Sequence, residues 1–524
     1  MTMNGFRRDP EDVLAELAAL REGDAPTHGG RVLSYVYDSG LAELDELSAR
    51  AARLVQPVNG LDPTTFTSVA AMEAGIVGFA RRVFHGEADG VGGADGADRS
   101  DSAEVVVGTV TSGGTESCLL AVKTARDAWR SVRAGTPRVP RIVAPITVHA
   151  AFHKAAEYFG LALDLVPVDP QTGTLAASAI EDRLGDDVAL VVVSAPSYPF
   201  ATLDPVADVA AVCRARGIAL HVDACIGGFA LGFWPDDLPT WDFAVPGVTS
   251  LSADLHKYGY APKGVSVLLT RGRDRQRHQY FRTTGWPGYP VVNPTMTGSK
   301  PAGPLAAAWA ITEVLGDEGF ASLSAKTARA TAALRETVEG IEGRRVVGRP
   351  TGPLFAVATD ERVEEHLRVD PHHWADAARQ AGWFLQLQPG IVQADGSRLP
   401  HTTHLTVTPV TEDVVPELAA ALVVAAGGGG GGGEGGVPKV DGELVLAGLA
   451  DALPGGLEPL LASDAGLDSD TAAGLLGAIG LLGGEGGGLP AQMAPVLALV
   501  EALPSQLTGR LLVELLARVV EPRG

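Results

Sequence analysis

Short apolar runs alternate with helical segments between about residues 104 and 271, and this alternation constrains the fold more than any other feature of the sequence. The runs are VVVGTVT, RIVAPITV, ALDLVPV, VALVVVSA, GIALHVDA and SVLLT. Repeated strand–helix–strand units pack as a mostly parallel sheet covered by helices. The sequence therefore predicts an α/β fold with a mostly parallel sheet in its large domain.

Changes of composition divide the rest of the chain around this block. The predicted parts are an N-terminal helical segment (1–103), the large domain (104–324), a smaller α+β C-terminal domain (325–426), a Gly-rich linker (427–436) and an Ala/Leu/Gly-rich tail (437–524). Seven consecutive glycines mark the linker. The tail contains no aromatic residue. Its pattern leaves two alternatives open, a small helical appendage and a loosely ordered tail.

Charge and cysteine content exclude several classes of function. The net charge of -22 repels phosphate backbones, so no nucleic-acid partner is predicted. The three cysteines, Cys118, Cys213 and Cys225, are widely spaced and form neither a disulfide framework nor a CxxC zinc site. A reducing cytoplasm fits them best. The sequence contains no signal-peptide core and no apolar run of about 18 residues, so no membrane span is expected.

The segment TVTSGGTES places a glycine turn between a strand and a helix. Gly113 and Gly114 allow backbone amides to approach a phosphate closely, and Thr115 adds a hydroxyl. The helix N-terminus supplies partial positive charge. An ordinary strand-to-helix turn is the alternative, because the spacing matches neither a Walker loop nor GxGxxG.

Two further signals involve charged residues beside apolar segments. In IALHVDACIGGF a buried strand ends at Asp223, whose carboxylate needs a partner such as a protonated pyridinium nitrogen. In SLSADLHKYGYAPKG, Lys257 lies between apolar strand-like segments, where an amine forms an imine with an aldehyde cofactor. The alternative for Asp223 is an aspartate that caps a loop, and the alternative for Lys257 is a surface loop rich in Lys and Tyr.

Two histidines occur where a strand passes into a helix. His149 in ITVHAAFHKAAEYFG is placed to stack on an aromatic ring, and a helix-capping or core histidine is the alternative. His153 follows one helical turn later. A His-x3-His pair can bind zinc, but no third ligand or HExxH glutamate accompanies it, so no metal site is predicted.

The order of these signals is more specific than any one of them. A glycine turn, a histidine, a strand-end aspartate and a lysine follow one another, each after a predicted parallel strand, where open α/β sheets bind ligands. With SAPSYPFATLDPV, PTMTGSKPAG and HLTVTP, they make the chain resemble the PLP-dependent group II decarboxylase family over about residues 30–424. The resemblance implies fold type I, the aminotransferase-like fold, with pyridoxal 5'-phosphate as cofactor.

The resemblance also implies roles at the matching positions. Lys257 would hold the cofactor as a Schiff base, Asp223 would pair with the pyridinium nitrogen, and His149 would stack on the ring. The residues expected at the cofactor phosphate are Gly113, Gly114, Thr115 and His256, together with a loop of the dimer partner, Thr297, Gly298 and Ser299.

Two more positions match family residues near the substrate. Lys263 corresponds to a second family lysine and Tyr37 to a family tyrosine. Lys263, Tyr37 or the freed Lys257 is expected to move the protons, and the active site is expected at a homodimer interface. One departure concerns the segment Asn59-Gly60-Leu61-Asp62-Pro63, where Asp62 replaces a histidine that reaches the substrate phosphate in the lyases of the family. A carboxylate there would repel that phosphate.

Three functions follow as hypotheses for a small-molecule amine or amino-acid substrate. The first is a carbon–carbon lyase that cleaves a phosphorylated amino alcohol to an aldehyde and phosphoethanolamine, which the motifs favour and Asp62 opposes. The second is an amino-acid decarboxylase, for which Arg282 is a guess at a carboxylate-binding residue. The third is a non-catalytic PLP-binding or interaction protein, against which the intact Lys257 and Asp223 argue.

Overall fold

The computed structural model describes residues 6–87, 105–133, 138–427, 468–478 and 492–522. The predicted Gly-rich linker lies outside these residues except for Gly427, and so do two stretches of the predicted tail, 437–467 and 479–491. Within the described ranges, the search for a helix long and apolar enough to span a bilayer finds none.

A seven-stranded sheet forms the centre of the large domain. Its strands are β1 (Val106–Thr111), β2 (Arg141–Pro145), β3 (Ala162–Val166), β4 (Val188–Ser194), β5 (Ala219–Asp223), β6 (Ser250–Ala253) and β7 (Ser266–Arg271). The spatial order is β1-β7-β6-β5-β4-β2-β3. Strands β3, β2, β4, β5 and β6 pair in parallel, whereas β7 runs antiparallel to both of its neighbours. The predicted mostly parallel α/β sheet is confirmed.

Helices cover both faces of this sheet. In the N-terminal and large domains they are α1 (Pro10–Leu20), α2 (Ala42–Leu54), α3 (Thr67–Val83), α4 (Gly114–Val132), α5 (Ala150–Phe159), α6 (Ala177–Glu181), α7 (Val206–Ala215), α8 (Gly228–Leu231) and α9 (Arg273–Gln276). Alternate residues of β4 enter two different cores. Val191 and Val193 pack with α3 and α7, while Leu190 and Val192 pack with α4 and α5. A strand buried on both faces reads as a continuous apolar run, as VALVVVS does.

A long helix, α10 (Gly303–Glu339), connects the large domain to the small one and is kinked at Gly316, where φ is +53°. It packs against α2 and α3. The predicted boundary between residues 324 and 325 falls inside this helix, so the division of the chain at that point stays a prediction.

The small domain contains a four-stranded antiparallel sheet and a short hairpin. Its elements are β10 (Arg344–Val346), β11 (Leu354–Thr359), α11 (Pro371–Gln380), β12 (Gln386–Gln388), β13 (Ile391–Val392), β14 (Arg398–Leu399), β15 (Thr402–Thr406) and α12 (Thr411–Ala425). The sheet order is β10-β11-β15-β12, and β13 pairs with β14. Another hairpin, β8 (Phe281–Thr283) with β9 (Val291–Asn293), precedes α10. One stretch of the N-terminal segment packs against the small domain, because Leu33 is buried in the core of that domain.

The described parts of the predicted tail contain three helices, α13 (Ser469–Ala478), α14 (Ala494–Ala502) and α15 (Ser505–Val519). Helix α13 packs against α15, and α14 packs against α11 and β12 of the small domain. Apolar side chains of α14 and α15, among them Leu499, Leu507 and Leu511, are buried.

Candidate active site

A cavity of about 470 Å³ opens where the carboxyl ends of β2, β4 and β5 face the small domain. Its lining includes polar side chains from the strand ends and apolar side chains from both domains. The polar ones include Tyr37, His149, Ser194, Asp223, Lys257 and Thr402. The apolar ones include Ile146, Phe200, Ile226, Leu387, Ile391 and Leu399. The structure thus brings together four of the predicted catalytic residues, all except Lys263.

Lys257 follows β6 and reaches the floor of the cavity beside a buried carboxylate. Its Nζ lies 3.0 Å from Oδ2 of Asp254, which is 2% exposed. Burial opposes the charge on Lys257, but the carboxylate of Asp254 outweighs it and raises the pKa of the amine above its usual value. Burial would likewise raise the pKa of Asp254, yet Lys257 and His256 lower it. The sequence analysis did not single out Asp254, although it stands three residues before the lysine.

The glycine turn between β1 and α4 lies directly against this ion pair. Gly113 has φ +153°, a conformation that favours glycine, and no side chain of the described residues caps α4. The first N–H groups of α4 therefore keep their capacity to bind an anion. A Cβ at Gly114 would stand 2.6 Å from Oδ2 of Asp254 and 2.9 Å from Sγ of Cys225. Only glycine fits there without displacing the floor of the cavity.

We expect Gly114→Ala to weaken cofactor binding by about tenfold or more, because the added methyl group must displace Asp254 or Cys225. Overpacking of this kind costs about 1–3 kcal/mol. The measurement is a titration of the folded protein with pyridoxal 5'-phosphate, followed by the visible absorbance of the bound cofactor. Gly78→Ala is the matched control, since a Cβ there meets nothing within 4 Å. Equal affinity in Gly114→Ala and the parent protein would contradict the proposed role of this turn.

Glu116, in the first turn of α4, connects the glycine turn to a second loop. Its Oε2 accepts a hydrogen bond from the N–H of Ser112 at 2.6 Å, and its Oε1 accepts one from the N–H of Met296 at 2.6 Å. The side chain is buried, so both bonds form out of water. The sequence analysis missed this residue, although a carboxylate at the start of a helix is a known signal for backbone N–H groups.

Asp223, at the end of β5, and His149, in the loop after β2, line the cavity on either side of the end of β4. Oδ1 of Asp223 accepts the N–H of Cys225 at 3.0 Å, which fixes the carboxylate at the end of β5. His149 caps α5, and its Nδ1 accepts the N–H of Ala151 at 3.2 Å. This bond assigns the proton to Nε2 and fixes the ring at the edge of the cavity.

Tyr37 and Lys263 contact each other at one side of the cavity. Nζ of Lys263 lies 4.4 Å from the centre of the Tyr37 ring and donates to the backbone oxygen of His256 at 3.2 Å. Partial burial and the charge of Lys257 lower the pKa of Lys263 to about 8. Burial raises the pKa of Tyr37 to about 12. Tyr37 lines the cavity, whereas Lys263 reaches it only through Tyr37.

Within the part of the chain that the structure describes, three buried polar atoms around the cavity lack a hydrogen-bond partner: Oγ1 of Thr147, Oδ1 of Asp254 and Nδ1 of His256. Thr147 lines the cavity, and His256 lies beside Gly113. Buried polar atoms are normally satisfied, so unpaired ones at a cavity indicate a place for a polar group. A lysine, a strand-end carboxylate and an anion-binding helix start fit a phosphorylated aldehyde cofactor with a ring nitrogen. The fold and the site thus define a pyridoxal-phosphate enzyme of fold type I.

Comparison with known proteins identifies the family. A family model described as "Pyridoxal-dependent decarboxylase conserved domain" matches residues 95–342. The sphingosine-1-phosphate lyase of Arabidopsis thaliana is 32% identical over 416 residues, which cover 78% of this chain and 71% of that protein. The chain belongs to the pyridoxal-dependent decarboxylase family, whose cofactor is pyridoxal phosphate.

Other similar proteins agree with this assignment. The sphingosine-1-phosphate lyase of Dictyostelium discoideum is 34% identical over 353 residues, which cover 67% of this chain and 63% of that lyase. A solved sphingosine-1-phosphate lyase from Burkholderia pseudomallei has a TM-score of 0.71 at 33% identity and covers 80% of this chain and 91% of its own. A separate family model, "Pyridoxal-dependent enzyme, C-terminal putative HTH domain", matches residues 444–518.

The predicted partner loop does not line the cavity of its own chain. Ser299 instead accepts a hydrogen bond from Asn59 at 3.1 Å, and the N–H of Gly60 donates to the backbone oxygen of Lys300 at 2.8 Å. Thr297, Gly298 and Ser299 therefore stand beside the segment that contains Asp62. Their contact with the cofactor of a second subunit stays a prediction.

Asp62 makes only local hydrogen bonds. Its carboxylate accepts the backbone N–H and the hydroxyl of both Thr64 and Thr65, at 2.6–3.1 Å. These bonds hold the pKa of Asp62 below its usual range. Asp62 is not among the residues that line the cavity.

Two other candidates from the sequence lie outside the cavity. Arg282 is exposed on β8, and His153 is exposed on α5; neither lines the cavity.

Among the described residues, Cys118, Asp223 and Cys225 have ligand atoms within 4.8 Å of one another. A hydrogen bond with Cys118 and burial raise the pKa of Cys225 well above its usual value. This thiol therefore stays protonated, which disfavours metal binding.

A buried carboxyl group that the sequence analysis missed supports the end of β4. Oδ2 of Asp204 accepts the N–H of Ser194 at 2.7 Å, while its Oδ1 has no partner. Burial raises the pKa of Asp204 to about 7. This value lies above the pKa of about 3.9 in an unfolded chain. The stabilisation by the protonated form is therefore complete below about pH 4 and is lost as the pH rises through 7.

We expect Asp204→Asn to flatten the pH dependence of stability. From pH 5 to pH 8, the free energy of unfolding of the parent protein should fall by on the order of a few kcal/mol more than that of the variant. Urea unfolding at both pH values measures the difference. The exposed Asp208→Asn on α7 is the control. Parallel pH curves for the parent and Asp204→Asn would refute the assignment.

Proposed function

We propose that this protein is a pyridoxal-phosphate-dependent carbon–carbon lyase that cleaves a phosphorylated long-chain amino alcohol. In the reaction, the bond between the amine-bearing carbon and the hydroxyl-bearing carbon breaks. The hydroxyl loses its proton and becomes an aldehyde, and the amine-bearing carbon gains a proton to give phosphoethanolamine. The observation that carries the proposal is the similarity to sphingosine-1-phosphate lyases over most of this chain, at 31–34% identity in several organisms.

The composition of the cavity supports an apolar chain as part of the substrate. Phe200 and Ile226 of the large domain and Leu387 and Leu399 of the small domain contribute apolar walls to the cavity. Burying methylene groups against such a wall contributes about 0.8 kcal/mol per group. A hydrocarbon chain would therefore add substantially to binding.

The residues of the chain divide the remaining work. When bound, the cofactor supplies an electron sink for the bond at the amine-bearing carbon. Lys257 would hold the cofactor, and Asp223 would keep its ring nitrogen protonated. His149, in the loop after β2, would stack on the ring, and the glycine turn would bind the phosphate.

The pKa values separate the roles of the proton-transfer candidates. Tyr37, with a pKa of about 12, keeps its proton at neutral pH and acts as a hydrogen-bond donor in the cavity. Lys263, with a pKa of about 8, is partly neutral near pH 7–8 and is able to accept a proton. Lys263 contacts the face of the Tyr37 ring, 4.4 Å from its centre, so the two side chains are separate candidates for moving the proton of the substrate hydroxyl. Lys257 is the third candidate.

Asp62 carries less weight against a phosphorylated substrate than its charge suggests. Both of its carboxylate oxygens already accept hydrogen bonds from Thr64 and Thr65. The group is solvated and does not line the cavity, so its repulsion of a phosphate there is screened.

Decarboxylation of an amino acid is the second candidate, and the name of the matched family domain favours it. A substrate carboxylate is usually bound by arginine. The lining of the cavity, as described, contains no arginine, and Arg282 does not belong to it. Carbon–carbon cleavage of an amino alcohol therefore fits the cavity better.

The assembly and the location are part of the proposal. A homodimer is supported by the β8–β9 hairpin, where Phe281, Trp286, Tyr289 and Val292 expose large apolar surfaces next to the predicted partner loop. A cytoplasmic location without nucleic-acid partners is supported by the three unpaired cysteines and the acidic charge.

The test is a product analysis of the cofactor-loaded protein with a phosphorylated long-chain amino alcohol. We expect a fatty aldehyde and phosphoethanolamine in equal amounts. The same amino alcohol without its phosphate should react much more slowly, which tests recognition of the phosphate. Absence of both products, together with release of carbon dioxide from an amino acid, would replace the lyase by the decarboxylase.

A further inference from the structure

Helix α14 of the predicted tail is fixed to the small domain by a buried carboxylate. Oδ1 and Oδ2 of Asp376, on α11, accept the N–H groups of Met493 at 2.9 Å and Ala494 at 2.8 Å. Asp376 is 4% exposed. A charged cap at a helix start combines hydrogen bonds with a favourable dipole interaction, so this end of α14 is held firmly.

The other end of α14 holds the β13–β14 hairpin. Oε1 of Glu501 accepts the N–H of Gly390 at 3.0 Å, and its Oε2 accepts Nη2 of Arg398 at 2.7 Å. Gly390 directly precedes β13, and Arg398 begins β14. One carboxylate from the tail therefore ties both strands of the hairpin. Gly390 is buried, so its N–H would lose its partner without Glu501.

This hairpin forms part of the cavity wall. Pro389, Ile391, Leu399 and Pro400 line the cavity from the side of the small domain. They supply a large part of the apolar surface that would receive the hydrocarbon chain of the substrate.

The hairpin has little stability of its own. Its strands pair at only two positions, Ile391 with Leu399 and Val392 with Arg398. Isolated two-stranded hairpins are marginal in water, so this one depends on its attachments. On the side of the large domain, the Gln393 side chain exchanges two hydrogen bonds with the backbone of Val168, at 2.9 and 2.8 Å. On the other side the attachment is Glu501.

The charge of the tail fits an internal role better than nucleic-acid binding. Residues 437–524 contain eleven acidic and four basic residues. An acidic segment repels phosphate backbones, whatever helical fold it adopts. Its polar contacts with the body of the protein are instead those of the Met493 and Ala494 N–H groups with Asp376 and those of Glu501 with Gly390 and Arg398.

We infer that α14 acts as a strut for the substrate cavity and that Glu501 is a positioning residue, which sets the affinity for the apolar part of the substrate by holding the β13–β14 hairpin. The identity of that substrate rests on the proposed function. The support of the hairpin by α14 does not rest on the proposed function, because it depends only on contacts within this chain.

The experiment compares Glu501→Ala and Glu501→Gln with the parent holoenzyme. In Glu501→Ala we expect KM for the phosphorylated long-chain amino alcohol to rise about five- to tenfold with kcat within about twofold, because the reacting residues are untouched. Hydrogen exchange should accelerate at Gly390 and the hairpin while staying unchanged in the β1–α4 turn. Glu501→Gln keeps an acceptor for the N–H of Gly390, so its KM and the hydrogen exchange of its hairpin should lie between those of Glu501→Ala and the parent protein.

Glu514→Ala is the matched control, since Glu514 is also in the tail but pairs with Ser469 and Arg518 of the tail itself. It should change neither KM nor hairpin exchange. Unchanged exchange of the hairpin in both Glu501 variants would overturn the inference. If the parent protein is inactive on the amino alcohol, the proposed function is refuted. The role of α14 is then tested by hydrogen exchange alone, because that measurement needs no turnover. If Glu501→Ala does not fold, Arg398→Ala, which removes one of the two bonds, takes its place.

Discussion

Lys257→Ala should abolish turnover, with a loss of roughly a thousandfold or more in kcat/KM, because the residue expected to hold the cofactor covalently is removed. Its Nζ is the only lysine amine that lines the cavity, within the part of the chain that the structure describes. The variant should also lose the visible absorbance of the bound cofactor. Steady-state kinetics and an absorbance spectrum check both statements.

The substitution also leaves Asp254 without its partner. A buried carboxylate that loses its counter-charge is destabilising, so the unfolding temperature of Lys257→Ala must be measured beside its activity. Lys154→Ala, at an exposed position of α5, is the control for loss of a positive charge. Full activity in a folded Lys257→Ala protein would contradict the assignment.

Asp223→Asn should reduce kcat by about 10²–10³-fold and leave the protein folded. An amide is nearly isosteric with the carboxylate and can still accept the N–H of Cys225, but it carries no charge to keep a ring nitrogen protonated. Loss of one preorganised electrostatic interaction in an active site has an effect of this size. The measurement is kcat at saturating substrate and cofactor.

The effect of Asp223→Asn on kcat separates this role from a structural one. A residue that only supports β5 would change stability and cofactor affinity, and it would leave kcat of the loaded enzyme unchanged. Asp208→Asn on the exposed face of α7 controls for the charge change. If Asp223→Asn retained the kcat of the parent protein, the carboxylate would have no part in the chemistry.

The central sheet was predictable because buried strands leave continuous apolar runs in the sequence. Short apolar runs mark six of the seven strands, although Asp164 interrupts the run of β3 and His221 that of β5. The exception is β6, which has only four residues, SLSA, two of them serines. Strand direction was not predictable for β7, because antiparallel and parallel buried strands have the same composition.

The residues at strand ends were predictable because the chain itself delivers them to one edge of the sheet. Asp223 and Lys257 are examples, each standing directly after or close behind a parallel strand. The partners of these residues were not predictable in the same way. Asp254 contacts Lys257 only because the turn after β6 folds back, and Glu116 meets Met296 across 180 residues.

The cavity wall on the side of the small domain could not be predicted from local sequence patterns. The β13–β14 hairpin follows the glycine turn by more than 270 residues, and its contact with Glu501 crosses a further 111. Such contacts depend on how whole domains pack. Their sequence signals, a Gly before a two-residue strand and a glutamate in an apolar helix, are too common to be informative.

Reductive trapping of the cofactor identifies the lysine that holds it. The holoenzyme is treated with borohydride, digested, and mapped by mass spectrometry. We expect the cofactor mass on the peptide that contains Lys257, and we expect the same label in Asp223→Asn, which keeps the lysine. A label on Lys263 or another lysine, or no label on a protein that binds the cofactor, would contradict the assignment of Lys257.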